Sequence, residues 1–218
     1  MAFESLLPNL EVWAGRLGAL LGLATLAVAV VSMVLATERR PALEVGSGAR
    51  YLRWPFLIAG TVLFLGAGVV LWRPLPIELT PLWRLAALLL GLFLFLLGLS
   101  LYLWGGVTLG KMFAPSFGSG VRLQAERRLV TGGPFRLVRH PMYLAVILTF
   151  SGGLLLYRTW TMLVFAICMF GLMVRARREE ALLSAEFGEA WKAWAREVPA
   201  WVPRPGHIIR RGNTSHDR

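Results

Sequence analysis

The chain is poor in the side chains that usually hold metals or close disulfides. It has one cysteine, Cys168, and three histidines, of which only His140 lies before the last dozen residues. A single cysteine cannot form an intrachain disulfide, and we expect Cys168 to pack as a small hydrophobic residue. With one cysteine and one histidine ahead of the polar tail, no zinc-binding pattern exists. We therefore expect no metal.

Charged residues are also scarce. They make up 16% of the chain and hydrophobic residues 56%, whereas an ordinary soluble domain has about a quarter charged residues. Three uncharged runs meet the requirement of roughly 20 apolar residues for a membrane crossing. Two shorter runs, separated only by Arg158, can cross if that side chain reaches the interface. The sequence predicts an all-α integral membrane protein with five transmembrane helices at residues 17–37, 54–72, 85–110, 141–157 and 159–174.

Lysine and arginine are distributed unevenly between the predicted links. With the N-terminus outside, nineteen of them fall on the inner side of the membrane and four on the outer side. Because positive residues favour the cytoplasmic side, the active region and the C-terminus are expected to be cytoplasmic. The net charge of +11 predicts attraction to anionic lipid headgroups. This topology accounts for the basic charge, so we expect no nucleic-acid partner.

The chemistry of the chain is concentrated in its second half. Residues 1–110 contain three predicted spans and no motif, and we interpret them as a scaffold. Residues 111–205 hold two polar clusters around a predicted two-helix membrane hairpin, followed by an amphipathic cytoplasmic helix at 181–196. Residues 206–218 form a polar tail. These regions are expected to make one membrane domain.

The first polar cluster is the segment 133–143, which runs directly into an apolar stretch. Pro141 is favoured at the first position of a helix, which places His140 near the helix cap. Free N–H groups at such a helix start can bind an anionic group, and His140 and Tyr143 share one helix face. The alternative is an ordinary interfacial helix start with His and Tyr as headgroup anchors.

The second polar cluster spans residues 175–180. Arg175 is the first charge after sixteen uncharged residues and therefore lies close to the apolar boundary, where charges usually have a function. Glu179 lies one helical turn later. The simpler interpretation is a surface ion pair between Arg175 and Glu179.

The order of these motifs resembles a known family. Arg139-His140-Pro141-Met142-Tyr143, then a long apolar stretch, Glu179-Glu180, Phe187-Gly188 and the segment 198–203 are similar to the isoprenylcysteine carboxyl methyltransferases. That family is grouped with the membrane phospholipid N-methyltransferases. The resemblance covers roughly residues 105–205, and the combined order and spacing carry it.

The resemblance implies an integral membrane enzyme that uses S-adenosylmethionine. It places Arg175 beside the methyl acceptor as the catalytic residue. The chain differs from the family at several positions. Ala145 stands where the family often has Gly, which predicts slightly looser helix packing, and Trp191 and Trp194 stand where Tyr is common. The implied cofactor-binding residues are Arg127, Arg128, Leu129, Val130, Phe135 (often Tyr in the family), His140, Pro141, Met142, Tyr143 and Glu179.

The implied reaction needs mainly positioning and a water-poor pocket, because the methyl group of the cofactor is already activated. The acceptor is expected to be a lipid-like or prenylated molecule methylated at its polar end. A carboxylate needs no base, a thiol reacts as its thiolate, and an amine must lose a proton, for which no base stands out. The alternatives are a non-catalytic membrane assembly subunit with the same fold and a lipid reductase.

Overall fold

The part of the chain that the structure describes is almost entirely helical. The computed structural model describes residues 2–39, 43–45, 54–110, 121–123 and 129–203. The described elements are α1 (Ala2–Arg39), β1 (Leu43–Val45), α2 (Trp54–Val70), α3 (Pro81–Leu109), β2 (Val121–Leu123), a 3-10 turn (Gly133–Arg136), α4 (Pro141–Tyr157), α5 (Trp160–Met169) and α6 (Leu172–Glu197).

The helices follow the predicted apolar runs, although the fifth run is broken. Three described helical segments are long and apolar enough to cross a membrane, namely Ser5–Val28, Pro81–Leu109 and Trp160–Glu197, and α4 is a shorter apolar helix. Tight backbone bonds from Phe170 and Gly171 interrupt the last segment between α5 and α6. The structure thus supports a membrane protein, while the count of five spans stays a prediction.

Two short strands accompany the predicted helices. β1 and β2 pair in antiparallel fashion, with Leu43 opposite Leu123 and Val45 opposite Val121. They lie in the link between α1 and α2 and in the link between α3 and α4. Because strand pairing requires proximity, both links lie at the same end of the helices.

A seam of glycines brings α3 and α4 into close contact. Gly91, Gly98 and Gly105 recur every seven residues on α3 and are buried. A Cβ atom added at Gly98 would lie 2.6 Å from the carbonyl oxygen of Ala145. Ala145 is fully buried, so the looser packing expected from it is not found. The space for this close approach comes from α3, because Gly98 has no side chain.

The opposite end of the helices is joined by Glu11. Its Oε1 accepts hydrogen bonds from Arg84 Nε (3.2 Å) and Arg158 Nη2 (2.9 Å). The Tyr157 hydroxyl donates to the Gly15 carbonyl at 2.7 Å. Arg158 therefore has a carboxylate partner at this end, and α1, α3 and the α4–α5 turn meet there.

One expectation about a single residue is wrong. Cys168 does not pack inside the protein but is exposed on α5. The segment 181–196 is helical within α6, yet it bends at Gly188 (φ 54°, ψ −124°), a conformation that favours glycine. Beyond the bend, Trp191 and Trp194 are buried against the protein.

Candidate functional site

The C-terminal segment 198–203 lies against the start of α4. The N–H of Arg139 donates to the Pro199 carbonyl at 2.8 Å, and the N–H of His140 donates to the Ala200 carbonyl at 3.3 Å. Val198 is buried, which anchors the segment below these bonds. The two backbone bonds make the segment 198–203 one wall of the site.

His140 lies inside this junction. Its side chain is only 5% exposed, and its Nε2 is 2.8 Å from Oε1 of Glu180 on α6. The ring centre of Trp201 is 5.3 Å from the imidazole and that of Tyr143 is 5.8 Å away. The predicted shared face of His140 and Tyr143 is present in the structure. The burial and the hydrogen bond of the imidazole argue against the interpretation of His140 as a headgroup anchor.

Arg139 is the second partner of Glu180. Its Nη1 lies 3.1 Å from the same carboxylate oxygen, and its guanidinium carbon lies 5.9 Å from the ring centre of Trp191. Two buried donors in this region, Arg139 Nε and Trp194 Nε1, have no hydrogen-bond acceptor among the residues described. A buried donor without an acceptor costs free energy, so these two donors favour the binding of a ligand that supplies an acceptor.

Tyr143 connects His140 to Arg175. Nε of Arg175 donates to the Tyr143 hydroxyl at 2.9 Å, and the guanidinium carbon lies 6.0 Å from the ring centre. The carboxylate of Glu179 interacts electrostatically with the same hydroxyl. Arg175 is half-buried and contacts α4, so it is not confined to a surface ion pair with Glu179.

The other predicted residues lie around this group. Leu129 and Phe135 pack on the buried cluster of Trp191, Trp194 and Val198, and Val130 is half-buried. Pro141 is buried at the first position of α4, and the side chain of Met142 reaches Gly105 of α3. Arg127 and Arg128 lie outside the described residues.

Sequence reasoning missed three members of the group: Glu180, Arg139 and Trp201. A signal for Glu180 was available. It lies four residues after Ala176, which is buried, and three before Leu183, which packs on the tryptophan cluster. Residues at this spacing share one helix face, so Glu180 faces the protein. No comparable local signal exists for Trp201, whose contact with His140 depends on the path of the chain beyond α6.

The predicted resemblance to membrane methyltransferases is confirmed by comparison with known families. Residues 86–190 match the family described as phospholipid methyltransferase. The matched region begins in α3 and includes the start of α4, the group around Tyr143 and the glutamates of α6. The family likeness therefore lies in the part of the chain that holds this group of side chains.

Two curated proteins are each similar to about half of the chain. The nickel-cobalt-cadmium resistance protein NccN of Alcaligenes xylosoxydans xylosoxydans is 32% identical over 99 residues, which are 44% of this chain and 45% of that protein. The cobalt-zinc-cadmium resistance protein CzcN of Cupriavidus metallidurans is 32% identical over 111 residues, 50% of this chain and 47% of that protein. The aligned part thus spans about half the length of the curated relatives.

Proposed function

We propose that the protein is a membrane methyltransferase that uses S-adenosylmethionine to methylate the polar end of a lipid-like acceptor. One observation carries the proposal: within the region matched by the family, His140 bonds to Glu180 and Tyr143 bonds to Arg175, at 2.8 and 2.9 Å. Acids, guanidinium groups and aromatic rings therefore meet where apolar helices end. Such a group suits a charged cofactor beside a membrane-bound acceptor.

The residues present fit the chemical groups of this cofactor. Glu179 offers a carboxylate for its ammonium group. Arg139 Nε and Trp194 Nε1 are buried donors without an acceptor among the described residues, and they suit a carboxylate or hydroxyl oxygen. The apolar surfaces of Leu129 and Phe135 suit the adenine ring. When bound, the cofactor supplies an electrophilic methyl group on a sulfonium sulfur.

The acceptor is proposed to enter from the bilayer. Arg175 lies in the first turn of α6, directly after residues whose side chains point away from the protein. Ile167, Phe170 and Val174 are 62%, 51% and 58% exposed, as expected for surfaces that face lipid. A molecule with an apolar tail could lie along them while its polar head reaches Arg175, which would attract an anionic head or stabilise a thiolate.

We propose five membrane crossings with the N-terminus outside and the site in the cytoplasm. The contacts between helix ends support this alternation. Glu11, Arg84 and Arg158 meet at one end, whereas β1 and β2 pair at an end that they share. Five crossings would place the first group outside and the strand pair inside. The excess of positive charge on the strand side agrees with a cytoplasmic location.

The names of the relatives introduce metal resistance as a second possibility. In the parts of the chain that the structure describes, no three His, Cys, Asp or Glu side chains lie together in a way that could hold a metal ion. No observation therefore favours metal binding by this chain.

Cofactor binding is tested by comparing two glutamates of α6. Glu179→Gln keeps the side-chain shape but removes the charge offered to the cofactor. Loss of a charged hydrogen bond should weaken binding by roughly 1.5–3 kcal/mol, or about tenfold or more. Glu189→Gln is the matched control, because Glu189 is 77% exposed and pairs with Lys192. Calorimetry with S-adenosylmethionine measures both.

The same experiment separates the alternatives. No heat of binding in the unaltered protein would favour a non-catalytic assembly subunit. Binding of a nicotinamide cofactor in its place would favour a lipid reductase. Equal affinities for Glu179→Gln and Glu189→Gln would remove Glu179 from the cofactor site.

A further inference from the structure

The hydrogen bonding of His140 distinguishes its two ring nitrogens. Nε2 lies 2.8 Å from the Glu180 carboxylate, and within residues 129–203 the structure records no partner for Nδ1. A neutral imidazole that donates its proton from Nε2 has a free lone pair on Nδ1. A histidine oriented by a carboxylate in this way is the usual arrangement of a general base.

We propose that His140 is the base that takes a proton from the methyl acceptor, and that Glu180 is the positioning residue that holds it ready. The inference rests on the proposed function and narrows it. It assigns an acceptor that must lose a proton before it can react, a lipid amine or a lipid thiol, in preference to a carboxylate.

The position of His140 suits this role. It neighbours Tyr143, whose hydroxyl bonds to Arg175, so the base and the residue proposed to stabilise a thiolate adjoin the same side chain. The imidazole is 6% exposed, which limits competition from water for Nδ1.

The proton and electron balance is simple. An ammonium or thiol group of the acceptor gives one proton to Nδ1 of His140, which forms an amine or a thiolate. The bound cofactor would supply the methyl carbon to which that lone pair bonds, and its sulfur would keep the electron pair of the broken methyl–sulfonium bond. His140 finally releases its proton to water.

Two carboxylates and two guanidinium groups lie in the surroundings of the imidazole, so their formal charges cancel. Glu180 on α6 is shared with Arg139, which precedes His140. The next pair, Arg175 and Glu179, adjoins Tyr143 on α4. The wall formed by residues 198–203 contains no titratable side chain. Glu180 is therefore the carboxylate in direct contact with the base, which makes it the informative residue to change.

The test uses the full-length protein in lipid nanodiscs and three acceptors with the same long alkyl chain, ending in an amine, a thiol or a carboxylate. We expect methylation of the amine or the thiol. Glu180→Gln should lower kcat for that acceptor by about tenfold or more while KM and the dissociation constant of S-adenosylmethionine stay within threefold. Glu189→Gln, on an exposed part of the same helix, should change neither.

Chemical rescue separates proton transfer from a structural role. His140→Gly should lose about 10²-fold or more in kcat, and added imidazole should restore part of it for the amine or thiol. Absence of rescue while cofactor affinity is retained would overturn the proposal, as would an unchanged kcat in Glu180→Gln. Methylation of the carboxylate alone would also overturn it and leave the proposed function intact. A protein that binds no S-adenosylmethionine would contradict the proposed function itself.

Discussion

Gly152 on α4 is the position at which one added methyl group should be most harmful. An added Cβ would lie 2.6 Å from the Gly91 carbonyl oxygen and 2.9 Å from the Phe95 Cα atom, both on the backbone of α3. An ordinary carbon–carbon contact is about 3.5–4.0 Å. Backbone atoms cannot rotate out of the way, so the two helices must separate by roughly an ångström in Gly152→Ala.

The neighbouring residue offers a matched control. An added Cβ at Gly153 would lie 3.2 Å from the Sδ atom of Met162, which belongs to a flexible side chain that can move. Both glycines are buried in the same helix. The gain in helix propensity from Gly to Ala, about 1 kcal/mol, is therefore common to both variants and cancels in the comparison.

Overpacking of a close helix contact costs about 1–3 kcal/mol or more. We expect Gly152→Ala to be less stable than Gly153→Ala by roughly 2–3 kcal/mol. With about 2–4 °C per kcal/mol for a chain of this size, its Tm should be roughly 4–12 °C lower. Tryptophan fluorescence during heating of the detergent-solubilised protein measures the difference. Equal melting temperatures would refute the close approach of α3 and α4.

Three further predictions concern charge, topology and substrate. Glu11→Gln should destabilise the protein by about 1 kcal/mol, since the partly exposed ion pairs of Glu11 with Arg84 and Arg158 are weak. Glu78→Gln is the control, because Glu78 is exposed at the same end. Equal melting temperatures of the two variants would exclude a stabilising role for Glu11. In a Cys168→Ala background, a cysteine at Ser215 should react with an impermeant reagent only after cells are permeabilised, and labelling of intact cells would reverse the orientation. Arg175→Ala should reduce kcat/KM for a long-chain acceptor while cofactor binding persists. In the unaltered protein, equal kcat/KM values for the long-chain acceptor and its short soluble analogue would exclude entry from the bilayer.

The sequence by itself determined the features that depend on local chemistry. Apolar runs of sufficient length predicted the helices, because a helix satisfies its own backbone hydrogen bonds in lipid. Pro141 predicted the start of α4, because proline fits the first helical position. The spacing of His140 and Tyr143 correctly placed both on one helix face. The order of the motifs identified the family resemblance that the comparison confirmed.

Tertiary structure decided the features that depend on contacts between distant segments. It paired His140 with Glu180, a contact that the sequence analysis did not predict, because the orientation of α6 against α4 selects which of two adjacent glutamates faces the imidazole. It also allowed Ala145 to pack closely, because the space comes from Gly98 on another helix. The contact of Trp201 with His140 required the bend at Gly188 and two backbone bonds across the chain. Local sequence spacing can place Glu180 on the buried face of α6, but it does not identify the partner in any of these contacts, since the partners are 40 or more residues apart along the chain.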